Sequence, residues 1–239
     1  MLFSIITIFP EILDSYLNEG MIKRAQGKKI IKIKKINLRD YTNDRHRSVD
    51  DSPYGGGAGM VMKVEPIYKA LKKLKVNPSA SSGQRNGKLK INNRKAKTKV
   101  VLLSAKGKTW NQEMARKYSK LDEVIFVCGR YEGVDERITN FIDEEISIGD
   151  YVLTGGELGA AVIIDSVTRL LPGVLGNAES PIAESHTEEG VLEYPHYTRP
   201  EVLTIGKKSY KVPDVLLQGD HAEITKWRES NKKWKGALK

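Results

Sequence analysis

Over the first 172 residues, short apolar runs that end in small residues alternate with segments of helical spacing, and this alternation restricts the possible folds more than any other feature. LFSIITI is a β-branched run closed by Phe9-Pro10, and EILDSYLNE after it has helical spacing with Pro10 near its start, where proline is tolerated. IIKIKKINL alternates apolar and basic residues as a half-exposed strand does, whereas EPIYKALKKLK sets Ile67, Leu71 and Leu74 on one helical face. VVLLSA, EVIFVCG and EISIGDY read as further strands, TWNQEMARKYSKL as a helix, and GGELGAAVIIDSVTRLL as a long apolar helix opened by paired glycines. Such alternation predicts an α/β fold with a mainly parallel sheet, in which ligands bind beyond the carboxyl ends of the strands. Residues 173–200 lack periodicity and hold three prolines, as an interdomain linker would; PDVLLQGDHAEITKWRESNKKW predicts a small helical domain over 201–239. No internal repeat is present.

Several classes are excluded by composition. At 239 residues the chain has length for one large domain or two. Its lone Cys128 cannot form an intramolecular disulfide, and its four histidines (46, 186, 196, 221) are never at two-His zinc spacing, which predicts a reducing compartment. No run approaches the ~18 apolar residues of a membrane span, and MLFSIITIFPEIL lacks the basic start and small-residue cleavage site of a signal peptide. A soluble, cytoplasmic protein without a membrane partner is expected.

Charge is segregated along the chain. Residues 69–99 carry eleven Lys/Arg and no acid, against a whole-chain excess of +10, so the remainder nets −1. Residues 23–47 carry ten bases against two acids, and residues 122–193 carry sixteen acids against three bases. Basic surfaces for a polyanion beside a separate acidic region fit this pattern, although the NPSASSGQRNGK centre of the first run also reads as a solvated loop.

Two glycine-rich clusters carry chemistry. In DRHRSVDDSPYGGGAGM, residues 44–60, glycines at 55, 56, 57 and 59 let the backbone approach a ligand, and an Arg-His-Arg triplet beside two Asp supplies phosphate-pairing donors. The second cluster, CGRYEGVDER (128–137) with SIGDYVLTGGEL (147–158), leaves bare backbone N–H and C=O groups at strand ends, where an adenine edge and a ribose can be hydrogen-bonded. Taken singly, each loop also reads as a helix cap or turn. Gly107-Lys108-Thr109 has the end of a phosphate loop, yet position 102 is Leu where the first glycine must be, which argues against a nucleotide triphosphatase. Arg169 suits the end of its helix, and Glu184 lies in AESHTEEG, where a carboxylate is usually solvated; spacing alone assigns no role to either, nor to His46 or His186.

Taken together, FPE at 9–11, DRHRSVDDSPYGGGAGM, VCGRYEGVDER, IGDYVLTGGEL, DSVTRLLPGVLGN, PHYTRPEV and PDVLLQGDHAEITKWR closely resemble the bacterial tRNA (guanine-37, N-1)-methyltransferases of the SPOUT superfamily. The resemblance runs from residue 2 to about residue 228 and is interrupted by the basic insert near 76–98. It implies a SPOUT catalytic domain over 1–172 with a deep trefoil knot, which no periodicity argument gives, since knotted chains are almost absent. S-adenosylmethionine would be held in bent form by Leu102, Leu103, Ser104, Gly129, Tyr131, Glu132, Gly133, Ile148, Gly149, Tyr151, Leu153, Gly155 and Gly156. It further implies a homodimer with the active site between subunits, tRNA contacts from Arg45, His46, Asp50 and Gly59, and C-terminal helices that grip the anticodon arm. Magnesium is also implied, with Glu132 as a candidate neighbour but no dedicated metal cage.

The same resemblance assigns Glu184 as the base and Arg169 as the cation. The N-1 position of guanine is a poor nucleophile until a base removes its proton and a cation stabilises the charge that spreads to the exocyclic oxygen. Many members have Asp where this chain has Glu184; the extra methylene extends the carboxylate by ~1.5 Å, and an additional residue follows in SHTEEG. Ala58 and Ala105 replace prolines common in the family without removing a functional group. The alternatives are a SPOUT methyltransferase acting on another RNA base, which would not need the 44–60 loop or PHYTRPEV, and a non-enzymatic RNA-binding protein, which would not need intact donor loops.

Overall fold

The computed structural model describes residues 1–74, 97–176 and 184–234; the centre of the basic insert lies outside the described residues. The chain divides into two compact units, Met1–Gly176 and Asn177–Lys239.

The first unit is built on five strands: β1 (Leu2–Thr7), β2 (Lys32–Asn37), β5 (Thr98–Thr109), β6 (Glu123–Cys128) and β7 (Glu144–Ser147). They lie in the order β2-β1-β6-β5-β7, and every pairing is parallel. Because successive side chains point to opposite faces, β1 sends Phe3 and Ile5 to one side and Ile6 to the other, and β6 likewise divides Val124 and Phe126 from Ile125 and Val127. Both sides are covered, which is why these strands read as continuous apolar runs and not as alternating ones.

One face packs against α1 (Asp14–Leu17), α2 (Gly20–Gly27), α4 (Gln112–Tyr118) and α5 (Glu157–Thr168), through Leu17, Ile22, Ala25, Ala115, Ala160, Ile163, Ile164 and Val167. The other packs against α3 (Val64–Lys73), which buries Ile67, Ala70 and Leu71. Local chemistry sets the ends of these helices. The Asn111 side chain accepts from the Met114 N–H at 2.9 Å and caps α4, and Pro66 sits in the first turn of α3, where its missing N–H costs nothing. A short antiparallel pair, β3 (Asp50–Asp51) and β4 (Val61–Met62), closes the glycine-rich 52–60 loop.

Three local expectations are corrected. Helical spacing over residues 11–19 predicts one helix, but the chain turns through residues 10–13 and α1 spans only Asp14–Leu17. Thr7 Oγ1 holds the Phe9 N–H at 2.9 Å ahead of Pro10, and Gly20, at φ +56°, starts a new helix in a new direction. β5 runs past Ala105 to Thr109, since a register shift between Leu103 and Lys108 lets it rejoin β7. The third correction concerns the second unit. Where a linker over 173–200 and a helical domain over 201–239 are expected, residues 184–200 already belong to this unit, and β8 (Val191–Leu192) pairs with β11 (Lys233–Trp234). Between them lie an antiparallel hairpin, β9 (Val202–Ile205) and β10 (Lys208–Lys211), and a single α-helix, α6 (His221–Ser230), capped by Asp220. The alternating VLTIGKKSYK, with Gly206 at φ +61°, favours a tight hairpin over a helix.

Candidate functional site

At the carboxyl ends of β5, β6 and β7 the first unit opens a cavity of about 270 Å³. Its walls come from three segments. The first is a bulge in β5: the shift of register between Leu103 and Lys108 pushes Ser104, Ala105 and Lys106 out of the ladder and over the cavity. Gly107 makes the return possible, since a Cβ there would fall 2.4 Å from the Ile146 backbone nitrogen.

The second segment follows β6. Gly129 to Val134 turn back across the opening with Tyr131 at φ +61°, a conformation rare for a bulky residue and concentrated at functional sites. The third follows β7 and runs from Ile148 to Gly156, ending at α5. Gly156 donates to the Gly129 carbonyl at 3.0 Å and Arg130 bridges to Gly155, so the second and third segments are tied together. A Cβ on Gly156 would lie 2.9 Å from the Cys128 Cα. Tyr151 folds its ring over Gly149 and donates its hydroxyl to the Ile148 carbonyl at 3.1 Å.

Every residue expected at the methyl-donor site lines this one cavity: Leu102, Leu103, Ser104, Gly129, Tyr131, Glu132, Gly133, Ile148, Gly149, Tyr151, Leu153, Gly155 and Gly156. Its size is close to the ~300–1,000 Å³ usual for small-molecule sites. Residues that no sequence signal picked out also contribute, among them Arg130, Glu136 and Thr139. Arg130 is the most informative of these, because it pairs with Glu157, whose Oε2 lies 2.9 Å from its Nη2.

The 44–60 segment is attached to the same wall. β4 bridges to Val134, the Met62 N–H donates to the Gly133 carbonyl at 2.9 Å, and the Glu132 N–H donates to the Met60 carbonyl at 3.0 Å. Gly59, at φ +85°, faces the Glu132 side chain so closely that a Cβ would come within 2.5 Å of it. Asp50 is half-buried in β3, whereas Arg45 and His46 are exposed. Backbone hydrogen bonding from Ser48 lowers the pKa of Asp44, and a backbone bond from Ser52 followed by the Lys63 ammonium lowers that of Asp51. This segment therefore carries fixed charges of both signs beside the cavity.

Arg169 and Glu184 do not line it. Arg169 caps the far end of α5, whose twelve residues begin at the cavity, and a helix of that length separates its ends by about 18 Å. Glu184 lies in the second unit, in a turn where its carbonyl accepts from the Thr187 N–H at 3.1 Å and the Thr187 hydroxyl at 2.7 Å. Among the described residues no group of three His, Cys, Asp or Glu is placed to hold a metal ion. Nor is any helix among them long and apolar enough to cross a membrane.

A family model described as tRNA (Guanine-1)-methyltransferase TrmD matches residues 1–239. Three curated proteins bearing the name tRNA (guanine-N(1)-)-methyltransferase are similar over nearly the whole chain. That of Dictyoglomus turgidum is 48% identical over 98% of this chain and 86% of its own length. The Carboxydothermus hydrogenoformans protein is 49% identical over 96% of this chain and 81% of its own, and the Clostridium novyi protein is 48% identical over 95% and 85%. A match that spans both units, and with them the strand-end loops and the glycine-rich 44–60 segment, means that the chain belongs to the tRNA (guanine-1)-methyltransferase family.

Proposed function

We propose that this protein transfers a methyl group from S-adenosylmethionine to the N-1 position of guanine 37 in tRNA, and that the three strand-end loops of the first unit hold the donor. One observation carries this reading: residues from three separate segments, named by the family resemblance, converge on one cavity of suitable size. Backbone groups of the second and third loops supply hydrogen bonds there, and Gly155 and Gly156 let the third loop pack against Arg130 and the end of β6, where a Cβ would clash. Three carboxylates, Glu132, Glu136 and Glu145, also line it, and suit a ligand that carries positive charge on its sulfur and amino group.

For the acceptor, Glu184 takes the N-1 proton and Arg169 stabilises the charge that develops on the exocyclic oxygen. Since Arg169 stands a helix length from the cavity of its own chain, the active site is completed across a homodimer. Leu158 and Val162, one turn apart on α5, are both exposed, as are Ile12 and Tyr16, and Tyr16 is hydrogen-bonded to Asp165 of α5. An exposed apolar group of this kind supports a protein contact at this helix. Arg45, His46, Asp50 and Gly59 face the anticodon region, and the second unit grips the anticodon arm. The first unit carries the SPOUT knot, and the protein works in the cytoplasm.

Methyl incorporation into tRNA transcripts tests the reading. A transcript with G following the anticodon is expected to accept methyl groups, and the same transcript with A there is not. Equal labelling of both would favour a SPOUT methyltransferase acting on another base, and labelling of neither would favour an RNA-binding protein without activity.

A further inference from the structure

Behind the third loop lies a buried ion pair that the reaction does not use. Glu157 is the first residue of α5 and is 1% exposed. Its Oε1 accepts from the Thr7 hydroxyl at 2.5 Å and from Arg130 Nε at 3.3 Å, and its Oε2 lies 2.9 Å from Arg130 Nη2. The guanidinium continues outward: Nη1 donates to the Thr154 carbonyl at 3.2 Å, and its plane sits 4.8 Å over the Phe9 ring. Thr7 Oγ1 in turn accepts from the Phe9 N–H at 2.9 Å. Gly155 leaves the space into which Arg130 fits, since a Cβ there would fall 2.2 Å from Nε.

We infer that Arg130 and Glu157 are positioning residues for the methyl donor, which act by fixing the Thr154–Gly156 backbone against Gly129 and the end of β1. The inference rests on the donor reading of the cavity. Three chain segments far apart in sequence, the end of β1, the loop after β6 and the start of α5, are joined by the side chains of this guanidinium and carboxylate, and both segments that Arg130 joins, its own loop and Thr154–Gly156, line the cavity. A buried ion pair adds little stability over well-packed apolar side chains of the same volume, because desolvation offsets the attraction. What it adds is a fixed direction: the planar fork can satisfy Glu157 and the Thr154 carbonyl only when the loop is in place. Lysine keeps the charge and loses the fork.

Donor affinity measured by calorimetry well below the melting temperature, together with the melting temperature itself, tests the inference on the full-length protein. Arg130→Lys is expected to remain folded yet bind S-adenosylmethionine about tenfold or more weakly, as displacement of a positioned backbone predicts. Arg130→Met is expected to lower both affinity and melting temperature, because it strands Glu157. Combining it with Glu157→Gln should raise the melting temperature again, since no buried charge is left unpaired, while donor affinity stays low. Affinity that recovers together with melting temperature in the double variant, or wild-type affinity in Arg130→Lys, would overturn the positioning role. Wild-type protein that binds no donor would overturn the reading of the cavity, and this inference with it.

Discussion

Gly156 has no room for a side chain. A Cβ would stand 2.9 Å from both the Cys128 Cα and the Leu103 Cβ, so Gly156→Ala must move backbone at the end of β6. Overpacking of this kind costs about 1–3 kcal/mol, and the variant is expected to melt several degrees lower and to bind the donor more weakly. A melting curve and a donor titration that both overlay on wild type would mean that the loop has slack the structure does not show. For the acceptor side, Glu184→Gln should lower the methylation rate by ~100-fold or more while donor affinity holds, as loss of a general base predicts. Arg169→Ala should depress the rate similarly, because the charge it offsets develops in the transition state; rates within a few-fold of wild type would remove either residue from its role. At this scale, glycines at strand ends were legible because the residue type itself reports close approach. Arg130 and Glu157 were not. Their pairing spans 27 positions and depends on how two loops return to each other, which no local spacing encodes.

Among the elements, β5 decides the shape of the cavity, and its pairing with β7 is tied by charge. Glu144 accepts from the Tyr118 hydroxyl at 2.6 Å and pairs with Lys99, which anchors the start of β7 to β5 and to α4. Burial favours the neutral acid, but the hydrogen bonds from Lys99 and Tyr118 outweigh it and lower the Glu144 pKa below its ordinary value. A carboxyl whose folded-state pKa is depressed stabilises the fold above its unfolded pKa and loses that contribution as pH falls through the folded value. Glu144→Gln is therefore expected to be less stable than wild type at neutral pH, with a difference that closes as pH drops below about 4, the ordinary glutamate range. Denaturant melts at pH 7 and at low pH check this, and a gap that stays constant with pH would assign the effect to packing alone. Apolar runs announced β1, β5 and β6 in the sequence because both faces of each are covered. The extension of β5 beyond Ala105 was not legible, since Lys106 and Lys108 in AKGKT interrupt the apolar pattern that marks a buried strand. Nor was the β9–β10 hairpin read, although Gly206-Lys207 between alternating residues is a hairpin signal.

For the molecule as a whole, the distribution of charge and the proposed homodimer lead to separate predictions. If the bases of the 76–98 insert touch phosphates, replacing the insert by a short neutral linker should flatten the salt dependence of tRNA binding by roughly 0.7–0.9 slope units per lost contact. Donor binding should not change, and an unaltered slope would leave tRNA recognition to the 44–60 loop and the second unit. Val162→Glu places a charge on the exposed apolar face of α5; sedimentation is expected to show a monomer with little methylation activity, whereas an active monomer would place the whole active site in one chain. The central claim, methyl transfer to guanine N-1 at position 37, is tested most directly by mass-spectrometric nucleoside analysis of tRNA incubated with the protein and S-adenosylmethionine, with the modified position mapped by nuclease fragments. The account predicts 1-methylguanosine at position 37 that depends on both protein and donor; a different methylated nucleoside, or 1-methylguanosine at another position, would contradict it.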